Sequence, residues 1–511
     1  MSKQITESAL KVENSNKAGT KEWLGLSILM LPTVLLSLDL TVLHLALPHL
    51  ATALRANSVE QLWILDIYGF MIAGFLVTMG TLGDRIGRKR LLLIGASAFG
   101  IASIAAAFST SATMLIITRA LLGISGATLM PSTLSLIRNM FHNPKQRTFA
   151  ISLWMMSFSG GAVMGPLIGG MMLEYFWWGS VFLLGVPIML LLLVTAPFLI
   201  SEYKDTSAGR MDFISVIQSL ASILLIIYGM KDIAVGNFHF SSIFCLFIGV
   251  ILGWIFLKRQ QLISHPLLEL KLFHNKTFSV SLGIMLLGMI IQGGFLLLLA
   301  QYLQMVKGLT PLEAGLWMVP FSSGSIIGSL LAPILTRWIS RIHVIAIGLS
   351  LSALSCVLIS FIDTDVNIMV LIISSALFTL GFAPLFVFST DLIVGSVPPE
   401  KSGTAASLSE MSGELGMALG VAIIGSITTF IYRQQIIPPP NIPENLAEQA
   451  KDTITGAVGV VEQLSNETGV ELLLLAKSSF ITALNVVGII NSLVLIILII
   501  IILKVFQPTK N

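Results

Sequence analysis

Apolar residues in this chain fall into long blocks, not into the alternating pattern of a strand. A helix rises about 1.5 Å per residue, so crossing a hydrocarbon layer of about 30 Å takes roughly 20 apolar residues. Fourteen blocks reach that length, near 23–47, 62–82, 91–110, 112–137, 148–172, 179–200, 213–231, 240–257, 279–306, 311–335, 343–362, 367–396, 402–431 and 476–504. The longest must tilt or run past the hydrocarbon. The pattern predicts an all-α integral membrane protein. One block stands apart: RTFAISLWMMSFSGGAVMGPLIGGMM, residues 147–172, carries Gly160, Gly161, Gly165, Gly169, Gly170 and Pro166. Glycines four apart make a groove against which another helix packs closely. Pro166 removes a backbone donor and bends the helix. The spacing fits a tight packing helix or a bent, movable seam.

Composition agrees with the blocks. Of 511 residues, 55% are hydrophobic and 11% charged, where a soluble domain carries roughly 25% charged residues. The mean hydropathy is +0.91. Net charge is only +3, and its distribution says more. With the N-terminus in the cytoplasm, the tail holds Lys3, Lys11, Lys17 and Lys21. The inside loops then hold Arg85, Arg88, Lys89 and Arg90; Arg138, Lys145 and Arg147; Lys204 and Arg210; Lys258, Arg259, Lys271 and Lys276; Arg337 and Arg341; and Lys401. Short outside loops hold only Arg55, Lys231 and Lys307. This is the positive-inside asymmetry, and an even span count returns Lys504 and Lys510 to the cytoplasm. Residues 1–22 are too long and polar for the n-region of a signal peptide and read as a cytoplasmic tail. Cys245 and Cys356 lie inside apolar runs, which implies neither a disulfide framework nor a metal site. No nucleic-acid partner is expected.

Fourteen spans suggest two six-helix bundles, 23–203 and 261–505, joined by two extra linker helices in 204–260, with both termini cytoplasmic. Parallel repeats of this kind build many secondary transporters. GDRIGRKR at 83–90 and LTRWISRI at 335–342 follow the second span of each half as a faint echo. The long outside loop 432–475 opens with three prolines and carries Glu444, Glu448, Asp452, Glu462, Glu467 and Glu471. It reads as a solvated loop with one or two short surface helices, and a lid is the alternative.

The first inside loop, GTLGDRIGRKR, resembles the signature loop of the major facilitator superfamily, with Gly80, Asp84, Arg85, Gly87, Arg88 and Lys89 in place. LDLTVLHLALP at 38–48 is similar to the first-helix motif of its fourteen-span drug:proton antiporters. Arg119 in TRALLGISGA looks like the fourth-helix arginine, and Gly161, Gly165, Pro166, Gly169 and Gly170 resemble the antiporter motif of the fifth helix. SEMSGELGMALGVAIIGS at 409–426 resembles the thirteenth-helix signature. PLLELKLFHNKTFS at 266–279 and QYLQMVKGLTPLEAGL at 301–316 also fit, so the resemblance covers nearly the whole chain. LWILDIYGF at 62–70 is most similar to QacA/SmvA-type exporters. Two positions depart from the wider pattern: His44 and Gly185 stand where Asn is usual. His44 is either a titrating group or a hydrogen-bonded structural one.

Charges inside spans are candidates whatever the family, because each costs about 2.5–3.5 kcal/mol at mid-bilayer on insertion scales. They are Asp39, Asp66, Arg119, Asp391, Glu410 and Glu414. Asp39, Asp66 and Arg119 fall in the outer halves of their spans and suggest one cluster of a base between two acids. Glu410 and Glu414, four apart, share a helix face, where they repel and favour sharing a proton, or else anchor packing. Asp391 lies nearer the cytoplasmic end and could be wetted from there. An aromatic face near a cation adds about 0.5–2 kcal/mol, and Tyr68, Trp154 and Phe158 are placed for that. Trp63, Trp177, Trp178 and Trp317 fall near span ends and read as interface residues. No ATP-binding P-loop is present in the sequence.

The resemblance implies a monomeric, proton-driven antiporter of the bacterial cytoplasmic membrane, without cofactor or enzymatic activity. Its substrates would be lipophilic mono- and divalent cations: quaternary ammonium antiseptics, dyes, biguanides and diamidines. An exporter of a neutral or anionic metabolite, such as an amino acid or siderophore, is the alternative; a membrane sensor and an uptake symporter fit the motifs less well.

Overall fold

In a computed structural model, the described residues are 18–204, 212–234, 240–263, 266, 268, 270–363, 368–398, 402–461 and 463–506. Most of the proposed tail, with Lys3, Lys11 and Lys17, lies outside them, as do Arg210, Lys401, Glu462 and Lys510. The described residues contain no strand. Six helices form the first bundle: α1 (Thr20–Leu54), α2 (Ser58–Ile86), α3 (Arg88–Ala107), α4 (Ala112–Met140), α5 (Pro144–Tyr175) and α6 (Gly185–Leu199), the last preceded by one turn at Ser180–Leu183. The extra pair is α7 (Phe213–Ala234) and α8 (Phe240–Leu262). The second bundle contains α9 (Lys276–Gln301, continued by a π-helical turn at Tyr302–Val306), α10 (Pro311–Leu335), α11 (Arg341–Ile359), α12 (Ile368–Gly395) and α13 (Ser402–Gln435). Two short helices, α14 (Glu444–Asp452) and α15 (Ile454–Val461), precede α16 (Asn466–Val505). Fourteen of these helical stretches are long and apolar enough to cross a membrane.

Helix packing repeats between the halves. In the first, α1 packs on α5, α2 on α4, α3 on α4 and α3 on α6. In the second, α9 packs on α13, α10 on α12, α11 on α12 and α11 on α16. The halves meet through α2 with α13 and α5 with α10, two contacts that exchange under the same correspondence. The equivalent helices α2 and α10 also start alike. Asn57 accepts from the Glu60 amide while Glu60 accepts from the Asn57 amide, and Thr310 and Glu313 make the same reciprocal pair. Helix α1 begins at Thr20, earlier than the apolar block, because the Glu22 carboxylate accepts the Gly19 amide.

Bulky apolar side chains on the outer faces remain exposed, among them Ile101, Phe198, Phe247 and Leu330. Where the surroundings are lipid, helices associate through close packing of small residues and not through water exclusion. The helix pairs accordingly meet at glycines. Gly293 and Gly420 bring α9 and α13 to backbone contact, as Gly324 and Gly328 do for α10 and α12.

The segment after α13 is not simply solvated. Ala450, Ile454, Ala457 and Val460 are buried, and α15 packs on α16 and α1. Asp452 accepts from the Ser58 amide at 2.7 Å, the Ser58 hydroxyl at 2.9 Å and Arg433 at 3.0 Å. Gln61 reaches Thr453 at 3.4 Å, and Gln304 donates to the Leu45 carbonyl at 3.0 Å. These bonds tie the halves together at one end of the bundle, called here the capped end. The opposite end, which carries the GTLGDRIGRKR loop, is the basic end.

Candidate functional site

The central group is Arg119 on α4, 1% exposed. Its Nη1 donates to Asp39 Oδ2 of α1 at 2.5 Å and its Nε to the Ile64 carbonyl of α2 at 3.2 Å. Its guanidinium lies 4.4 Å from the centre of the Tyr68 ring. A guanidinium in a membrane interior needs this compensation: one carboxylate, one carbonyl and one aromatic face take up its charge. Tyr68 is fully buried and its hydroxyl has no hydrogen-bond partner among the described residues. It sits within electrostatic reach of Asp39, Arg119 and Glu414, so it lies between the first-bundle cluster and α13. His44 is buried beside the same cluster, within reach of Arg119, with Nδ1 unpartnered.

Asp66 does not join Arg119, contrary to the single cluster expected from sequence. It faces the other side of α2 and receives Lys231 Nζ of α7 at 2.7 Å. Lys231 is no loop residue either: it is helical, 1% exposed, and its ammonium lies 3.9 Å from the centre of the Trp63 ring. Trp63 thus holds a cation where an interface position was expected. Sequence reasoning missed Lys231 because it sits at the edge of an apolar block. The available signal was Asp66 itself, a buried acid that required a partner.

Glu410 and Glu414 lie on α13, half-buried, and neither has an ion-pair partner among the described residues. Glu414 Oε2 is enclosed and without a hydrogen bond. This stretch of α13 abuts α2: a Cβ on Gly69, next to Tyr68, would lie 3.1 Å from Ala418 and 3.7 Å from the Glu414 carbonyl. Asp39, Arg119, Tyr68 and Glu414 therefore form one strip across the seam between halves, with Glu410 a turn toward the basic end.

Two secondary candidates are turned elsewhere. Trp154 is buried and donates to the Thr133 hydroxyl at 3.2 Å, which ties α5 to α4. Asp391 pairs with Arg341 at 2.5 Å with both side chains more than half exposed, away from the strip. Phe158 is half-buried on α5, and no ring contact is found for it.

The glycine helix divides between the two readings, packing and seam. Gly161, Gly165 and Gly169 face α1 of their own bundle; a Cβ there would overlap the Val34 carbonyl, the Thr41 hydroxyl and Val42. Only the last part meets the other half: Gly170 lies against Pro311 and Leu312, and the Pro166 carbonyl against Gly315. Gly165 is thus internal packing, and Pro166 with Gly170 forms the seam. In the signature loop, Asp84 accepts Arg88 Nε at 2.7 Å, and Gly87 takes a φ of +114°, which favours glycine. Glu202 caps α3 by accepting the Lys89 and Arg90 amides. Arg85 is exposed, and a Cβ at Gly80 would meet nothing. Gly83, at which a Cβ would lie 2.9 Å from Arg88, is a second glycine the loop requires beside Gly87, where a Cβ would lie 2.6 Å from Glu202.

A sequence profile of the Major Facilitator Superfamily matches residues 29–421. The chain belongs to this superfamily. Among relatives of this superfamily, the multidrug efflux pump LfrA of Mycolicibacterium smegmatis is 38% identical over 467 residues, 91% of this chain and 93% of that protein. The methyl viologen resistance protein SmvA of Salmonella typhimurium is 37% identical over 466 residues, covering 90% and 93%. The superfamily fold is also seen in a bacterial homologue of the human lysosomal transporter Spinster, at a TM-score of 0.67 and 17% identity over 96% of this chain and 97% of that one. The chain is therefore a multi-pass transporter of this superfamily in the bacterial cytoplasmic membrane, and not an enzyme.

Proposed function

We propose that the protein exports lipophilic mono- and divalent cations, such as quaternary ammonium antiseptics, dyes, biguanides and diamidines, in exchange for protons. The observation that carries this reading is that Glu410 and Glu414 on α13 make no ion pair among the described residues, with only Arg138 acting on Glu410 from a distance, opposite first-bundle acids that are each paired with a base. A carboxylate without a base in a low-dielectric seam is compensated by a proton or by a cation, one at a time. Export follows if the cation binds from one side and a proton displaces it on the other. Arg119 is spent on Asp39 and Lys231 on Asp66, so among the described residues these two deep bases are already paired with acids. Methyl viologen, named for the Salmonella relative, is an organic dication, which agrees with this chemistry.

In this reading the basic end faces the cytoplasm, in keeping with its loops rich in Lys and Arg. The proton gradient drives transport without ATP or a cofactor, and one chain suffices. The halves rock about Pro166 and Gly170 against α10 and about α2 against α13. Everted membrane vesicles with an imposed pH gradient provide the test. Adding ethidium should release protons from the vesicle lumen at a rate that depends on the transporter; no such release sinks the proton-exchange reading.

A further inference from the structure

The Lys231–Asp66 pair is the most thoroughly buried ion pair among the described residues, with side chains 1% and 0% exposed. The relatives' efflux activity does not explain it, and neither does stability. Two charges withdrawn from water lose solvation that their attraction barely restores, and apolar residues of similar size often serve as well or better. The pair is also incompletely satisfied, since Asp66 Oδ1 is enclosed with no hydrogen-bond partner among the described residues. A carboxylate beside an indole face is the chemistry that holds an organic ammonium. Asp66 and Trp63 form such a cradle on α2, and the ammonium in it is the protein's own.

The helix that delivers this ammonium matters. Helix α7 packs on α2 of one half and α13 of the other, around Phe70, Ile227, Ala418 and Ala422. It is therefore placed to respond when the two halves move. No other charged group among the described residues acts strongly on either member of the pair. On α4, Arg119 is held by Asp39 on the opposite side of α2. On α13, Glu414 lies toward Tyr68 with Glu410 beyond it, and Arg433 is bound to Asp452. On α7 itself, Asp232 is bonded to Ser242 of α8 and Tyr228 is exposed. Lys258 of α8 lies over Trp254, and Arg259 is paired with Asp212. With Lys231 in place, a proton on Asp66 would strand a buried ammonium, and a substrate cation would meet an occupied cradle.

We propose that Lys231 is a positioning residue for Asp66: the extra helix pair inserts a tethered cation into the Asp66–Trp63 cradle, and Asp66 becomes available to a proton or a cationic substrate only when α7 draws that cation away. This rests on the reading of the protein as a cation–proton exchanger. The linker helices then act as a gate on one acid and not as a passive connection.

Dicyclohexylcarbodiimide, an apolar reagent that modifies protonated carboxyls within membranes, reads the availability of Asp66 without requiring transport. The purified full-length protein is labelled at neutral pH, and the peptide containing Asp66 is quantified by mass spectrometry. In the wild type Asp66 should stay largely unlabelled. Lys231→Met and Lys231→Gln should each raise labelling about tenfold or more, as removal of a charge that favours the carboxylate implies. Two neutral variants are included in case one fails to fold. Lys231→Arg should stay near the wild-type level, and tetraphenylphosphonium should protect Asp66 in the neutral variants. Equal labelling of wild type and neutral variants overturns the proposal, and so does labelling of Lys231→Arg at the neutral-variant rate. A lack of protection by the phosphonium cation removes the substrate arm. The vesicle assay on the wild type decides the exchange reading separately, so the two failures are distinguishable.

Discussion

The two halves treat their buried acids differently. In the first, Asp39 is bound to Arg119 and Asp66 to Lys231, so each carboxylate has a base within 2.7 Å. In the second, Glu410 and Glu414 share a helix face and make no ion pair among the described residues; Arg138 of α4 acts on Glu410 only from a distance, and one Glu414 oxygen is enclosed with no hydrogen-bond partner among those residues. A paired acid keeps its charge and holds helices together; an unpaired acid waits for a proton or a cation. Between them stands Tyr68, within electrostatic reach of Asp39, Arg119 and Glu414. In the proposed exchange, the first half supplies a fixed electrostatic frame, and the second supplies the groups whose charge changes.

The harshest way to break this contrast is to unpair the frame. Arg119→Ala leaves Asp39 without its base, which costs about 3–5 kcal/mol for a buried pair. A marked drop in the thermal midpoint in detergent, together with lost export, is expected. A stable, active variant would show that the pair is no frame. Neutralising the other side should act on binding instead. Glu410→Gln and Glu414→Gln each remove a charged contact of about 1.5–3 kcal/mol, hence roughly ten- to hundredfold in cation affinity. Ethidium titration of purified protein should show that loss with the thermal midpoint almost unchanged. Unaltered titration in both variants would move the cation site elsewhere.

The glycine helix sharpens the contrast between packing within a half and contact between halves. Gly165→Leu forces a side chain onto Thr41 and should destabilise the first bundle by about 1–3 kcal/mol, seen as a lower thermal midpoint. Gly170→Leu instead wedges α5 from α10; ethidium should still bind while vesicle export falls. The reverse assignment of the two phenotypes would place the moving seam at Gly165.

The smallest effect is expected at the start of α7. Burial raises the Asp212 carboxyl, but hydrogen bonds from Arg259 and Ser215 outweigh it and leave the group below the ordinary carboxylate range. Its stabilising contribution is therefore full above that range and fades as pH falls through the lowered value. Asp212→Asn should flatten a small acid-side decline in the thermal midpoint and leave export near pH 7 unchanged.

The sequence by itself determined the fourteen helices, because only an apolar run of about 20 residues crosses the hydrocarbon with its backbone bonds satisfied. It also determined the membrane setting, the superfamily through its ordered motifs, and the charges within the spans except Lys231, which it left in an outside loop. The tertiary structure alone decided who meets whom. Asp66 and Lys231 are 165 residues apart and Asp39 and Arg119 are 80 apart, so no local spacing could pair them. The faces of the glycine helix were equally hidden, since its apolar residues surround the helix and leave no periodicity to say which side meets α1 and which meets α10. Nor could a polar outside segment reveal that Asp452 reaches back to Ser58. In lipid the apolar surface no longer distinguishes inside from outside, so close packing and charge compensation, both properties of the assembled helices, decide the site.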